Sequence, residues 1–198
     1  DAIIDANGDP IFETGNVTPV SLMDVVNDEK SSIYYIVKNL PKDTRDAGRA
    51  TVKSFGVKSR FVHFEFFRLL SDQAIGKKGD VVALEVNMRP AGGYTPDMIN
   101  FAHSTDIYHI WADMITYDKS RLATSNQHNT GNALSLPWND EFYCAFASRR
   151  DIYDYVYSIE DVIKKYREQL VMCERMPEIL SGAMGQQIYP SSRRTNPS

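Results

Sequence analysis

The chain has 198 residues, of which 42% are hydrophobic and 24% charged, a composition that is typical of a folded globular protein and excludes a disordered or collagen-like chain. Its formal net charge of −4 argues against a nucleic-acid partner, and no apolar run approaches the roughly 18 residues that cross a bilayer. Two cysteines, Cys144 and Cys173, are too few for a disulfide framework. These features predict a cytoplasmic protein that binds neither nucleic acid nor membrane.

The first elements are predicted to be a β-hairpin and a surface helix. Residues 2–5 and 10–13 are rich in strand-forming residues and flank an Asn-Gly dipeptide, which favours tight hairpin turns. Residues 41–55 place apolar residues at helical spacing within a polar segment. Gly56 follows as a left-handed cap, so the helix is expected to end there.

The centre of the chain predicts two long strands and one helix. Residues 60–70 and 81–89 have strand character, and the turn-forming segment between them favours an antiparallel hairpin. A single amphipathic helix is expected from Thr95, as its cap, to Ile115, with Pro96 at the first helical position. The predicted fold class is therefore α+β, an antiparallel sheet with helices packed on one side.

The last third of the chain is predicted to contain a strand at 142–148 and a helix that opens with a capping box at Ser158 and runs toward Met176. Arg149 and Arg150 are expected to be a solvated strand end. The resulting division is a domain of residues 1–120, a polar loop or boundary at 121–140, a small α/β extension at 141–189 and a disordered tail at 190–198.

Polar residues share one face of the strand 81–89. Because successive side chains of a strand point to opposite faces, Glu85, Asn87 and Arg89 lie together. The opposite face, expected to lie in the core, carries Leu84, Val86 and Met88.

Glu65 shares a face of the strand 60–70 with His63. If the two strands pair, Glu65 faces the polar row that contains Glu85, although the sequence does not fix the register. Neighbouring carboxylates repel unless a cation lies between them. The role of His63 stays open between a partner of Glu65, a substrate contact and a structural histidine.

Two carboxylates and the Asn87 amide oxygen form an all-oxygen set suited to Mg²⁺ or Mn²⁺, whose other positions are commonly filled by water and phosphate oxygens. Arg89 on the same face suits bidentate binding of an anion. Metal, phosphate and arginine together suggest phosphoryl chemistry. The alternative is a polar strand face that is simply solvated.

The sequence resembles a known family at these residues. Phe64-Glu65-Phe66 is followed by Leu84-Glu85-Val86-Asn87-Met88-Arg89-Pro90. This order of Glu and then Glu-x-Asn-x-Arg resembles the closing motifs of the ATP-grasp superfamily, which includes biotin carboxylase, carbamoyl phosphate synthetase and related carboxylate–amine ligases. The resemblance covers residues 1–117 and implies the C-terminal half of an ATP-grasp fold, followed by a small C-terminal extension.

The resemblance also implies roles for individual residues. Glu65 and Glu85 are the expected ligands of Mg²⁺ (or Mn²⁺) on the phosphates of ATP, and Asn87 is a further metal ligand. Arg89 is the expected catalytic residue, in contact with the γ-phosphate or an acyl phosphate. The implied enzyme is a biotin carboxylase-like ligase that activates a small carboxylate with ATP and joins it to an amine or other nucleophile.

An ATP-grasp enzyme also needs an upstream half that supplies the adenine pocket, phosphate-binding lysines and a glycine-rich lid. Nothing precedes Asp1 in this sequence, so we expect a fragment that is inactive alone and needs a missing N-terminal half; a homodimer is compatible with this. One alternative is a non-catalytic binding or oligomerisation module with a vestigial site. Another is a metal-dependent hydrolase that uses the same carboxylates to activate water.

Overall fold

A computed structural model describes residues 1–119, 142–175 and 177, except the side chain of Leu22. For residues 187–194 it describes the backbone. The contacts within the chain form two compact units, which we describe separately. Of the described residues, unit 1 contains 1–15, 39–96 and 105–119. Unit 2 contains 16–38, 97–104 and those from 142 onward. The units therefore interleave along the chain.

The strands and helices of the described residues follow one another along the chain. They are β1 (Ala2–Ile4), β2 (Pro10–Glu13), β3 (Asn16–Val17), α1 (Leu22–Asn27), β4 (Ile33–Ile36), α2 (Lys42–Ser54), β5 (Arg60–Arg68), β6 (Val81–Asn87), α3 (Thr95–His103), α4 (Ile107–Tyr117), β7 (Tyr143–Ala147), β8 (Arg149–Arg150), α5 (Ile159–Lys165), β9 (Leu170–Arg175) and β10 (Gln187–Arg194). None of these helices combines the length and the apolarity that crossing a bilayer requires.

Unit 1 is built on an antiparallel sheet in the order β2-β1-β5-β6. Both predicted hairpins are confirmed: β1 pairs with β2, and β5 pairs with β6. The first hairpin turns at Gly8, whose φ of +93° is a conformation that glycine adopts without the strain of a side chain. The predicted surface helix is also confirmed, as α2. It ends shortly before Gly56, which has a φ of +60°, as expected for a left-handed cap.

Helices cover both faces of this sheet, so the expectation of helices on one side is wrong. A core cluster on one face joins Val52 of α2 to Val62 of β5. On the opposite face, Phe61 packs edge-on against Trp111 of α4, with 5.7 Å between ring centroids. Alternation along β5 causes this arrangement, since apolar side chains at consecutive positions need a covering layer on each side.

The single helix expected from Thr95 to Ile115 is wrong, because the chain forms α3 and α4 there. Ser104 has a φ of +46°, which interrupts the helix. Asp106 then caps a new helix by accepting a hydrogen bond from the His109 backbone N–H at 3.0 Å. The apolar periodicity continues across the break, so the pattern alone does not show it. Thr95 is the first residue of α3 and not its cap.

Unit 2 contains a sheet in the order β3-β4-β7-β10-β8, with β9 also pairing with β10. The predicted strand at 142–148 is confirmed as β7, and the capping box at Ser158 is confirmed at the start of α5. The helix does not run toward Met176, however, because it ends at Lys165 and the chain enters β9. Residues 170–175 are stabilised as a strand by pairing with β10.

The disordered tail expected at 190–198 is wrong for residues 190–194, which belong to β10. This strand lies between β7 and β9, so its backbone hydrogen-bonds on both sides. Such long-range pairing overrides a polar local composition. Residues 195–198 and the polar loop expected at 121–140 lie outside the described residues.

Arg150 is also not the solvated residue that the sequence predicts. It is 4% exposed, and its guanidinium donates hydrogen bonds to the backbone oxygens of Val25 at 2.6 Å and Lys30 at 3.3 Å. Neighbouring Arg149 lies over the Tyr155 ring at 3.8 Å from the centroid. Both arginines therefore hold the structure of unit 2.

Candidate metal and phosphate site

The candidate site lies on one face of the unit 1 sheet, where β5 and β6 pair. Glu65 is directly opposite Glu85, and His63 is directly opposite Asn87. Opposed residues of an antiparallel pair project to the same face with Cβ atoms about 5 Å apart. The structure thus brings together Glu65, Glu85 and Asn87, three of the four residues that the sequence singles out.

A β-bulge lies immediately beside the Glu65–Glu85 pair. The register shifts by one residue, so that Leu84 has no opposite residue in β5. The expected core face is accordingly wrong at two positions, since Leu84 is 56% and Met88 38% exposed. Only Val86 is half-buried, opposite Phe64. Because β6 is also an edge strand of the described sheet, its apolar residues lack a second neighbouring strand.

The two glutamates differ in their surroundings. Glu65 is 41% exposed, and its Oε1 lies 3.5 Å from Nε2 of His63. Glu85 is exposed, and within the part of the chain that the structure describes its carboxylate has no hydrogen-bond or ion-pair partner. Like charges directly opposite one another destabilise a strand pair. The pair is therefore an arrangement that a bound cation would stabilise.

Arg89 lies just beyond the end of β6, whose last residue is Asn87. Its Nη1 donates a hydrogen bond to the backbone oxygen of Pro90 at 2.9 Å, and the side chain is exposed. A guanidinium has five N–H donors, so this contact leaves others that can bind an anion. Arg89 also lies close enough to His63 for its positive charge to help lower the pKa of His63. Burial of the ring is the largest cause of that lowering, and the charge of Arg89 is a smaller one.

His63 connects the row to a buried acid. Its Nδ1 lies 3.1 Å from Oδ1 of Asp1, whose side chain is 1% exposed, whereas the His63 side chain is 14% exposed. Burial is the largest cause of the lowered pKa of His63, because it penalises the charged ring. The other carboxylate oxygen of Asp1 is buried with no hydrogen-bond partner.

Sequence reasoning missed Asp1 because it belongs to no motif. In the β1–β5 register Ala2 is opposite Val62, and extending that register by one residue places Asp1 beside His63. Only the pairing of β1 with β5 brings these two residues together. Asp1 and His63 are 62 positions apart in the sequence, so a local sequence pattern does not reveal their contact.

The donor chemistry of the row fits a hard cation shared with a phosphate. Among residues 1–119 and 142–175, no three His, Cys, Asp or Glu side chains converge as a complete metal site. Glu65, Glu85 and Asn87 instead offer a partial, all-oxygen set. Mg²⁺ is commonly bound by one or two carboxylates and completed by water and substrate phosphates, so these residues fit Mg²⁺ or Mn²⁺ in that manner.

The fold of this chain is similar to that of a solved protein structure. No protein-family model matches the sequence, and no curated protein matches it significantly. The chain is similar to the crystal structure of phosphoribosylglycinamide synthetase from Anaerococcus prevotii, with a TM-score of 0.56 and 9% sequence identity. The match covers 98% of this chain and 47% of that chain, so this chain spans about half the length of its neighbour. At this identity the likeness concerns the fold alone: it supports an ATP-grasp-like fold and does not extend to the biotin carboxylase subfamily.

Proposed function

We propose that this chain supplies the metal- and phosphate-binding part of an ATP-dependent ligase of the ATP-grasp type. The observation that carries the proposal is the direct opposition of Glu65 and Glu85, with Asn87 at the next pair of the same face. The ATP-grasp-like fold of the neighbour supports the same assignment. A biotin carboxylase-like carboxylate–amine ligase is the finer assignment that the motif residues favour.

Glu65 and Glu85 bind and orient the cation in this proposal, and the Asn87 amide oxygen adds a neutral ligand. When bound, Mg²⁺ would neutralise negative charge on the transferred phosphoryl group. The exposure of both carboxylates suits a metal that is shared with a nucleotide, because a buried cage would exclude the phosphates.

Arg89 is the proposed catalytic residue. A guanidinium binds phosphate oxygens in a bidentate fork, which positions the group and stabilises the negative charge that develops during transfer. Its place at the end of β6 allows it to act beside the metal ligands of the same face. The proposed reaction activates a small carboxylate as an acyl phosphate, and an amine or other nucleophile then displaces the phosphate.

We further propose that the adenine pocket, the phosphate-binding lysines and the lid belong to another part of the full-length gene product. The coverage of about half of the neighbour supports this division of labour. A cytoplasmic location would provide ATP and keep the thiols of Cys144 and Cys173 reduced.

The proposal is tested by measuring ADP formation by the full-length gene product with a panel of small carboxylates and amines. We expect ADP release that requires both a carboxylate and a nucleophile, together with a joined product. ADP release that needs neither would identify a hydrolase, and absence of Mg²⁺-nucleotide binding would favour a non-catalytic module. In the same assay Glu85→Gln should lower ADP formation, because it removes a proposed metal ligand; Glu168→Gln is the matched control, since Glu168 is an exposed glutamate of unit 2.

A further inference from the structure

His63 lies in the polar row but is not exposed as a substrate contact would be. Its side chain is 14% exposed, against 41% for Glu65, and its two ring nitrogens face two different carboxylates. Nδ1 is 3.1 Å from Oδ1 of Asp1, and Nε2 is 3.5 Å from Oε1 of Glu65. The imidazole thus links a carboxylate inside the fold to one on the open face.

The Asp1 carboxylate fixes the ring from the buried side. Since the side chain of Asp1 is 1% exposed, its carboxylate has little freedom, and the contact with Nδ1 restricts the ring plane of His63. The second oxygen of Asp1 is buried without a hydrogen-bond partner.

A purely structural histidine would direct both nitrogens to groups inside the fold. Here one nitrogen faces an exposed carboxylate that is opposed by Glu85. Carboxylates that bind metals are commonly oriented by hydrogen bonds from neighbouring groups, and such neighbours affect metal affinity without touching the metal.

We propose that His63 is a positioning residue: one proton is shared between Nδ1 and the buried Asp1 carboxyl, which fixes the ring, and Nε2–H donates to Glu65 and holds its carboxylate in place for metal binding. This inference rests on the proposed function, because it assigns Glu65 as a metal ligand. It goes further by assigning Asp1 and His63, neither of which belongs to the Glu and Glu-x-Asn-x-Arg motif.

The test measures the affinity of the full-length gene product for Mn²⁺ alone by electron paramagnetic resonance, which requires no turnover. We expect His63→Ala to weaken Mn²⁺ binding about 10- to 100-fold, the range typical of residues that orient metal ligands. His63→Gln, which keeps a donor, should fall between His63→Ala and the wild type. Asp1→Asn should weaken binding in the same direction, and in turnover the KM for Mg²⁺ should rise while that for the carboxylate substrate stays unchanged.

Phe61→Leu is the matched control, because Phe61 lies on the same strand and face, is 2% exposed and packs on Trp111. Its Mn²⁺ affinity should equal that of the wild type, and an equal weakening would overturn the proposal by showing a general packing effect. If His63→Ala does not fold, His63→Gln and Asp1→Asn decide the matter, and wild-type affinity in both would overturn it.

Glu65→Gln separates this inference from the proposed function. Loss of Mn²⁺ binding in Glu65→Gln with normal binding in the His63 variants would overturn the positioning role alone. Normal binding in Glu65→Gln would overturn the metal site itself, and the positioning role with it.

Discussion

The buried arginine of unit 2 and the carboxylates around the open strand face of unit 1 have opposite surroundings. In unit 2, buried Arg150 has its guanidinium bound by the backbone oxygens of Val25 and Lys30. In unit 1, buried Asp1 keeps one carboxylate oxygen without a partner, and the exposed Glu65 and Glu85 oppose each other. The arrangement around Arg150 is complete within the protein, whereas a cation completes the opposed glutamates in our proposal.

This difference separates structural charge from functional charge. A buried charge that is bound by backbone oxygens stabilises the fold, and its removal leaves those oxygens without a donor. Opposed carboxylates on an open strand face destabilise the apo protein, so they are expected where a ligand supplies the missing positive charge.

The largest expected effect concerns Arg150. Replacing it by Met leaves the backbone oxygens of Val25 and Lys30 without their donors, and should lower the free energy of unfolding by about 3 kcal/mol. Urea denaturation measures the loss, with Arg167→Met as the control because Arg167 is exposed in the same unit. Mn²⁺ affinity should not change. Equal stability of the two variants would show that Arg150 is not structural.

Glu85→Gln should weaken Mn²⁺ binding and leave stability nearly unchanged, the opposite of the effect expected for Arg150→Met. The substitution keeps the shape of the side chain but removes a negative charge, so we expect Mn²⁺ affinity to fall by at least about 10-fold. The free energy of unfolding should change by less than about 0.5 kcal/mol, as is usual at an exposed position, or should rise because charge repulsion is relieved. Titration with Mn²⁺ and urea denaturation provide the two readouts. A large loss of stability with normal Mn²⁺ affinity would assign this face to the fold.

Arg89→Lys should have a smaller effect that is confined to catalysis. Lys keeps the charge but loses the planar fork, so turnover of the full-length gene product should fall roughly 10-fold. Mn²⁺ affinity and thermal stability should remain those of the wild type. Steady-state kinetics at saturating Mg²⁺ measure this effect, and undiminished turnover would remove Arg89 from the mechanism.

The smallest effect concerns an ion pair away from the site. Arg68 donates to Asp43 at 2.7 Å, and this hydrogen bond is the main cause that lowers the pKa of Asp43 from 3.8 to about 2. Because the pKa is lower in the folded state, the pair contributes stability above about pH 4 that is lost as the pH falls toward 2. Carboxyl NMR titration checks the pKa, and Asp43→Asn should flatten this part of the stability profile. A pKa near 3.8 would contradict the ion pair in solution.

The sequence predicts the hairpins of unit 1 well because their signals are local. The Asn-Gly turn and the alternation along β5 and β6 act over a few residues, and they suffice to place Glu65 on the face that carries Glu85. The bulge at Leu84 inserts one extra residue into β6, and the alternating pattern of the sequence does not reveal where such an insertion occurs.

Unit 2 was harder to predict because its sheet joins distant segments. β10 pairs with β7, more than 40 residues earlier, and gains its strand structure from that pairing. The break between α3 and α4 at Ser104 depends on backbone conformation, although the apolar pattern continues. Asp1 was missed for the same reason, since only the β1–β5 register brings it to His63.

The most direct test of the central claim is a crystal structure of the full-length gene product soaked with Mn²⁺, with the ion located by its anomalous scattering. Our account predicts a peak bounded by the carboxylates of Glu65 and Glu85, with the Asn87 oxygen among its ligands. A Mn²⁺ ion bound elsewhere, with these carboxylates contacting only water, would contradict it.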